Sequence, residues 1–133
     1  METLLYLLIK LFVPLFFAIL FLQSGLDKVF NWRGNYDWVK GHFSKSPLAG
    51  SVGIMMPLLT LTEVAAGIVS LVGAVMLLVD EQSNDFALWG VVLSMVALLM
   101  LFFGQRIAQD YEGAKTIAIY FGVALVGAVI VGL

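Results

Sequence analysis

The sequence predicts an all-α fold: an integral membrane four-helix bundle, antiparallel, with a short interfacial segment between its first and second helices. Three observations predict it. Of 133 residues, 62% are hydrophobic and 12% charged, and mean hydropathy is +1.03, so too little polar surface exists to cover a soluble domain. The apolar residues fall in four runs, 3–26, 57–79, 86–105 and 113–133. At about 1.5 Å of rise per residue, each run matches a hydrocarbon core of roughly 30 Å. The polar residues gather between the runs, in two basic connections and one acidic turn. No internal repeat or low-complexity tract interrupts the pattern, so the chain reads as one domain.

The same composition excludes several classes of function. Cysteine is absent and His42 is the only histidine. That removes disulfides, a thiolate nucleophile, Cys-based metal or iron–sulfur sites, and a bis-histidine haem or multi-histidine zinc site within one chain. A net charge of -2 gives no basic face for nucleic acid. With its mass in the bilayer, the chain has no room for an extramembrane catalytic domain. No metal, no cofactor and no catalytic residue is expected from the chain alone.

The first run is broken only by Lys10 and Pro14, and a kink is expected near the proline. It is read as a span and not as a signal peptide. Met1-Glu2-Thr3 lacks a basic n-region, the run is too long, and Gln23-Ser24-Gly25-Leu26 has no small-x-small cleavage pattern. Lys10 has two readings, snorkelling to the nearer interface, which is commoner, or pairing inside. Gln23, Asp27 and Asn31 then share one helix face beside Lys28, and Gly34 follows as a breaker. From Asn31 to Gly50, Trp32, Tyr36, Trp38 and Phe43 alternate with Arg33, Lys40 and Lys45. Between two spans, that mixture suits a segment in the headgroup layer, with His42 an ordinary interfacial side chain.

Pro57 suits the first position of the second helix, where its missing N–H is not needed. This helix carries one carboxylate, Glu63, within an apolar run. Thr60, Glu63, Gly67, Ser70 and Ala74 recur at steps of three or four, so the acid shares a face with the smallest side chains. An ionised acid facing lipid costs several kcal/mol or more, so Glu63 is expected to point into the bundle. The acidic turn 80–85 joins the second and third helices as short loops do in bundles. The third run is apolar except for Ser94 and the terminal Gln105, after which Arg106 and Asp110 stand at i, i+4 as an expected pair. In the fourth, which begins near Lys115, Ala114-Ala118-Gly122 and Ala124-Ala128-Gly132 are read as packing surfaces.

Lys28, Arg33, Lys40 and Lys45 lie in the first connection and Arg106 and Lys115 in the third, against Lys10 alone on the opposite side. The positive-inside rule therefore places the connections at 27–50 and 106–115 in the cytoplasm and both termini outside. In that arrangement Gln23, Glu63, Gln105 and Arg106 fall in one half of the bilayer and are expected to form a binding or structural polar cluster. Glu63 accepts hydrogen bonds from Arg106 or Gln105 in one version, with Gln23 completing the group; in the rival, a protonated Glu63 meets only neutral partners.

Four spans in this length, the stretch Gly25-Leu26-Asp27-Lys28-Val29-Phe30, Glu63 followed by Gly67 and Gly73, and Gly104-Gln105-Arg106-Ile107-Ala108-Gln109-Asp110-Tyr111 together resemble the DoxX family of small bacterial and archaeal membrane proteins. The resemblance covers nearly the whole chain. It implies a four-helix membrane bundle in the bacterial inner membrane. It also implies association with redox enzymes, since founding members look like a small subunit of a thiosulfate:quinone oxidoreductase. Two classes of function are open. In the first, the protein is an accessory or anchoring subunit of a membrane complex, associated with a quinone-linked oxidoreductase and contacting a quinol-like headgroup. In the second, the bundle moves a proton, ion or small solute past Glu63. Catalysis by the chain alone ranks third, because general acid–base work needs two positioned groups. The expected partners are the lipid bilayer, a membrane protein or a second copy, and a quinone, with no nucleic acid.

Overall fold

A computed structural model of the protein describes residues 2–132. Met1, which opens the non-basic start, and Leu133, the last residue of the expected fourth span, lie outside the described residues. The chain is all-α: α1 (Glu2–Phe30), α2 (Trp32–His42), α3 (Val52–Val79), α4 (Asp85–Ile107) and α5 (Tyr111–Gly132), with a short 3₁₀ turn at Ala49–Ser51. Four of these helices, all but α2, are long and apolar enough to cross a membrane. Leucine, valine and isoleucine crowd their outer faces, as at Ile19, Leu61 and Val129, which suits lipid contact. The protein is a multi-pass membrane protein.

α1 continues beyond the end of its apolar run at Leu26 and stops at Phe30, short of the expected breaker Gly34, with Pro14 inside it and buried. The break falls at Asn31, where φ -126° and ψ 52° leave the helical region before α2 begins. Gly34 lies within α2 and does not break it. Its missing side chain makes room for Asn31, since a Cβ there would stand 2.8 Å from Asn31 Oδ1. The Asn35 amide donates to Asp27 Oδ2 at 3.2 Å and to the Asn31 carbonyl at 2.9 Å, which ties α2 back onto the end of α1.

α3 also starts earlier than the proline suggested. Val52 and Met56 are buried against Phe43, with Tyr36, Val39 and Ala108 around them, and this packing extends the helix by more than a turn. Pro57 therefore sits inside the helix, past the first turn whose N–H groups go unused, and its missing N–H forfeits the bond to Gly53.

α3 is the central element, packed against α1 on one side and α4 on the other, while α5 packs mainly on α4. The close seams are built from small residues. A Cβ on Gly67 would stand 2.7 Å from Leu22 Cγ, and one on Gly73 would stand 2.5 Å from the Ala87 nitrogen. Gly90 faces Ser70 in the same way, so sequence numbers rise on one helix as they fall on its neighbour and the pairs run antiparallel. The core between these helices holds Phe17, Phe21, Ala66, Val91, Leu98 and Ala124.

On α5 the buried residues are Ala114, Ala124, Gly127 and Val131. Ala118 and Gly122 face outward, and Gly122 meets open space. A four-residue step overshoots a full turn by about 40°, so two steps from Ala114 carry the stripe off the contact face. At the end of α4, Gln109 has φ 60° and Asp110 accepts the Gly113 N–H at 3.0 Å, capping α5. The expected Arg106–Asp110 pair is absent because Asp110 lies outside the helix and i, i+4 geometry no longer applies. Arg106 instead lies over the Tyr111 ring, 4.7 Å from its centroid.

Candidate functional site: an intramembrane ion pair beneath a lateral pocket

Glu63 points into the bundle and is fully buried. Its level follows from the α3–α4 register. Ser70 faces Gly90 and Gly73 faces Ala87, which sets Glu63 level with Ala97. Ala97 is about 18 Å of rise from Asp85 and about 15 Å from Ile107, while Gly25 against Val64 and Leu22 against Gly67 set Glu63 level with Leu26, where the apolar run of α1 ends, so the carboxylate lies between the spanning helices in the half of the bundle towards α2, deeper than a helix starting at Pro57 would put it.

Its partners come from α1. Ser24 Oγ donates to Glu63 Oε2, and Lys28 Nζ lies 2.9 Å from Glu63 Oε1 and donates to Ser24 Oγ at 2.8 Å. The Lys28 contact to Oε1 is a charge contact without hydrogen-bond alignment, so Oε1 is satisfied by the cation and by no directed donor. Side chains on a helix lean towards its N-terminus, so the ammonium of Lys28 reaches down to Ser24, one turn below it, and towards the bilayer centre. Gly25 lets α1 approach here, since a Cβ would stand 2.8 Å from a Val64 methyl. A lysine near a helix end that turns inward, where snorkelling outward is the cheaper default, is an unusual arrangement.

Above the ion pair, towards α2, a pocket of about 430 Å³ opens between α2, α3 and α4. That volume lies within the range of small-ligand sites, roughly 300–1,000 Å³. Its walls are mostly apolar, with Met55, Leu59, Met100 and Leu101 among them. Leu58, Phe103 and Trp38 are exposed at its rim, so it faces the lipid side of the bundle. Lys28 forms part of the inner wall, and His42 and Gln105 part of the outer end. His42 Nε2 donates to Gln105 Oε1 at 2.8 Å and lies 3.5 Å from Asp110 Oδ2, while its ring stacks on Trp38 at 4.8 Å. His42 thus latches α2 to the α4–α5 corner.

The four residues expected to cluster are spread out. Glu63 is central, Gln105 is at the outer end of the pocket on His42, Arg106 is exposed over Tyr111, and Gln23 is exposed on the surface of α1. The partners that sequence reasoning missed are Ser24 and Lys28. Ser24 and Lys28 are i, i+4 and so share one face of the helix end, but nothing in that spacing shows that the face meets Glu63. Among the described residues no group of three or more His, Asp or Glu side chains is placed to hold a metal ion.

Compared with protein-family models, curated proteins and solved structures, the chain matches none.

Proposed function

We propose that this protein is an accessory subunit of a membrane complex, one that receives a small amphiphile from the bilayer and presents it to a quinone-linked oxidoreductase. The observation that carries the reading is the pocket between α2, α3 and α4. It is apolar along its walls, open to lipid at its rim, and polar at both ends through Lys28 on one side and His42 with Gln105 on the other. A polar headgroup that accepts hydrogen bonds suits such a site, and an apolar tail can leave through the rim. The DoxX resemblance supports the same reading, because Lys28 and Gln105, from two of its stretches, line this pocket, and Glu63, from the third, pairs with Lys28 behind it. With no cysteine and one histidine in the chain, a partner is the natural source of the redox group. The deciding experiment is purification from the native membrane in mild detergent. Co-purification of an oxidoreductase that carries its own redox group supports the proposal, and a solitary protein overturns it.

A second reading, passage of a proton or ion past Glu63, is favoured by the burial of a charged pair between spanning helices, since intramembrane ionisable groups mark ion paths. Purified protein in vesicles that collapses a pH gradient, and loses this on Glu63→Gln, would select it. In either reading the protein sits in the inner membrane with the α2 end cytoplasmic, by the excess of Lys and Arg at that end. A C-terminal reporter active only outside the cytoplasm is the expected result.

A further inference from the structure

The pocket's lining has a charge bias. It includes Lys28 and His42 and contains no aspartate or glutamate. Lys28 keeps 14% of its side chain exposed, whereas its partner Glu63 keeps 1%. Lys28 lines the pocket and Glu63 does not, so a ligand there meets the lysine side chain and not the carboxylate. We infer that the pocket binds a monoanionic amphiphile, an oxyanion on a single apolar chain such as a long-chain carboxylate, and that binding transfers Lys28 from Glu63 to the ligand while Glu63 takes up one proton. The inference rests on the pocket reading above and adds the charge of the ligand and its coupling to a proton.

The exchange is balanced. Before binding, Lys28 and Glu63 neutralise each other. The flexible four-carbon stem of Lys28 lets its ammonium swing to an anion in the pocket. Glu63 is then left with the Ser24 hydroxyl, which has one proton to donate and cannot compensate a full charge. A buried carboxylate without a counter-charge is neutralised by a proton, which bonds to a Glu63 oxygen. Ligand oxyanion and one proton enter, Lys28 keeps its proton throughout, and the site is neutral before and after. The apolar walls hold the chain. Few other groups can titrate nearby. Across from Glu63, α4 contributes Ala97, and α1 contributes Lys28 alone, because Asp27 is exposed and bonded to Asn35. From α2 comes His42, with Asp110 beside it at the outer end of the pocket.

The test uses the purified protein in nanodiscs of zwitterionic lipid, with radiolabelled hexadecyl sulfonate as a probe whose charge does not change with pH. Wild-type affinity should fall about tenfold for each pH unit gained across the coupled range, as uptake of one proton per ligand requires. Glu63→Gln, which fixes the neutral form, should bind at least as well as wild type at its best and lose the pH dependence. His42→Gln should keep it, and Lys28→Met should lose the probe. Should a variant fail to fold, an indicator dye in weak buffer reads the wild type directly, with about one proton taken up per sulfonate bound. Binding without pH dependence or proton uptake would overturn the coupling, and hexadecanol binding as well as the sulfonate would overturn the charge. If a decyl-benzoquinone binds the pocket and the sulfonate does not, this inference falls and the proposed function stands; if neither binds, both fall.

Discussion

Two lysine–glutamate pairs tie α1 to α3 or to the turn that follows it, and they differ in almost everything but composition. Lys28 and Glu63 meet at 2.9 Å inside the bundle, with Ser24 bridging them. Lys10 and Glu81 stand 4.0 Å apart at the acidic-turn end of the bundle, with side chains 14% and 22% exposed. Both lysines show the same exposure, so the contrast lies in the acids and their surroundings. Glu81 has water within reach if Lys10 moves away, and Glu63 does not. The same two residue types thus make an adjustable contact at the edge of the bundle and an obligatory one inside it.

The largest effect is expected at the deep pair. Lys28→Met strands a carboxylate that has no route to water, and should lower stability in detergent unfolding by about 3 kcal/mol or more. Glu63→Gln strands a lysine that can still turn towards the pocket, so its cost should be smaller. The double variant should be markedly more stable than the sum of the two losses predicts. Strict additivity in that cycle would mean that the 2.9 Å approach carries no coupling, and the contrast with Lys10–Glu81 would disappear.

The deep pair depends on how closely α1 and α3 approach, and Gly67 sets that distance one turn along from Glu63. Gly67→Leu drives a branched side chain into Leu22 and should cost about 1–3 kcal/mol. Val75→Leu, at an outward position on the same helix, should be close to neutral. Comparable melting temperatures for the two variants would remove the case for a steric seam beneath the ion pair.

Much of this architecture was legible in the sequence, because apolar run length is a strong signal when the solvent is lipid. The inward aim of Glu63 was legible for a related reason: an acid on the small-residue face has only one cheap place to go. The partner was not legible. Lys28 stands on the helix end read through Asn31, but that its ammonium turns inward depends on how closely α1 approaches α3 at Gly25, which is a contact between distant segments. Pro57 misled in the same manner. Its local preference is for a helix start, and burial of Val52 and Met56 against Phe43, across a long loop, overrode it. Local chemistry set the elements, and contacts between distant segments set their ends.

The edge pair should respond much less. Lys10→Met and Glu81→Gln should each change stability by no more than about 1 kcal/mol, with the effect shrinking further in added salt. A salt-insensitive coupling of the size found at Lys28–Glu63 would show that the acidic-turn end is as dry as the centre.

The smallest expected coupling is between Glu63 and Arg106, and it checks the register on which the depth of the ion pair depends. Continuing the α3–α4 alignment, Arg106 falls beside the first turn of α3, about 14 Å of rise from the level of Glu63. Its guanidinium lies over Tyr111 at 4.7 Å, directed to the α4–α5 corner. Gln105, which stands nearer the pocket, is bonded to His42. Glu63→Gln and Arg106→Gln should therefore add within about 0.3–0.5 kcal/mol in a double-mutant cycle, as distant sites do. A coupling well beyond that range would bring the arginine down to the carboxylate, and would require α4 to slide by more than two turns against α3. Such a slide would pull Gly90 off Ser70 and Ala87 off Gly73, so the same cycle that measures the pair also tests the seam.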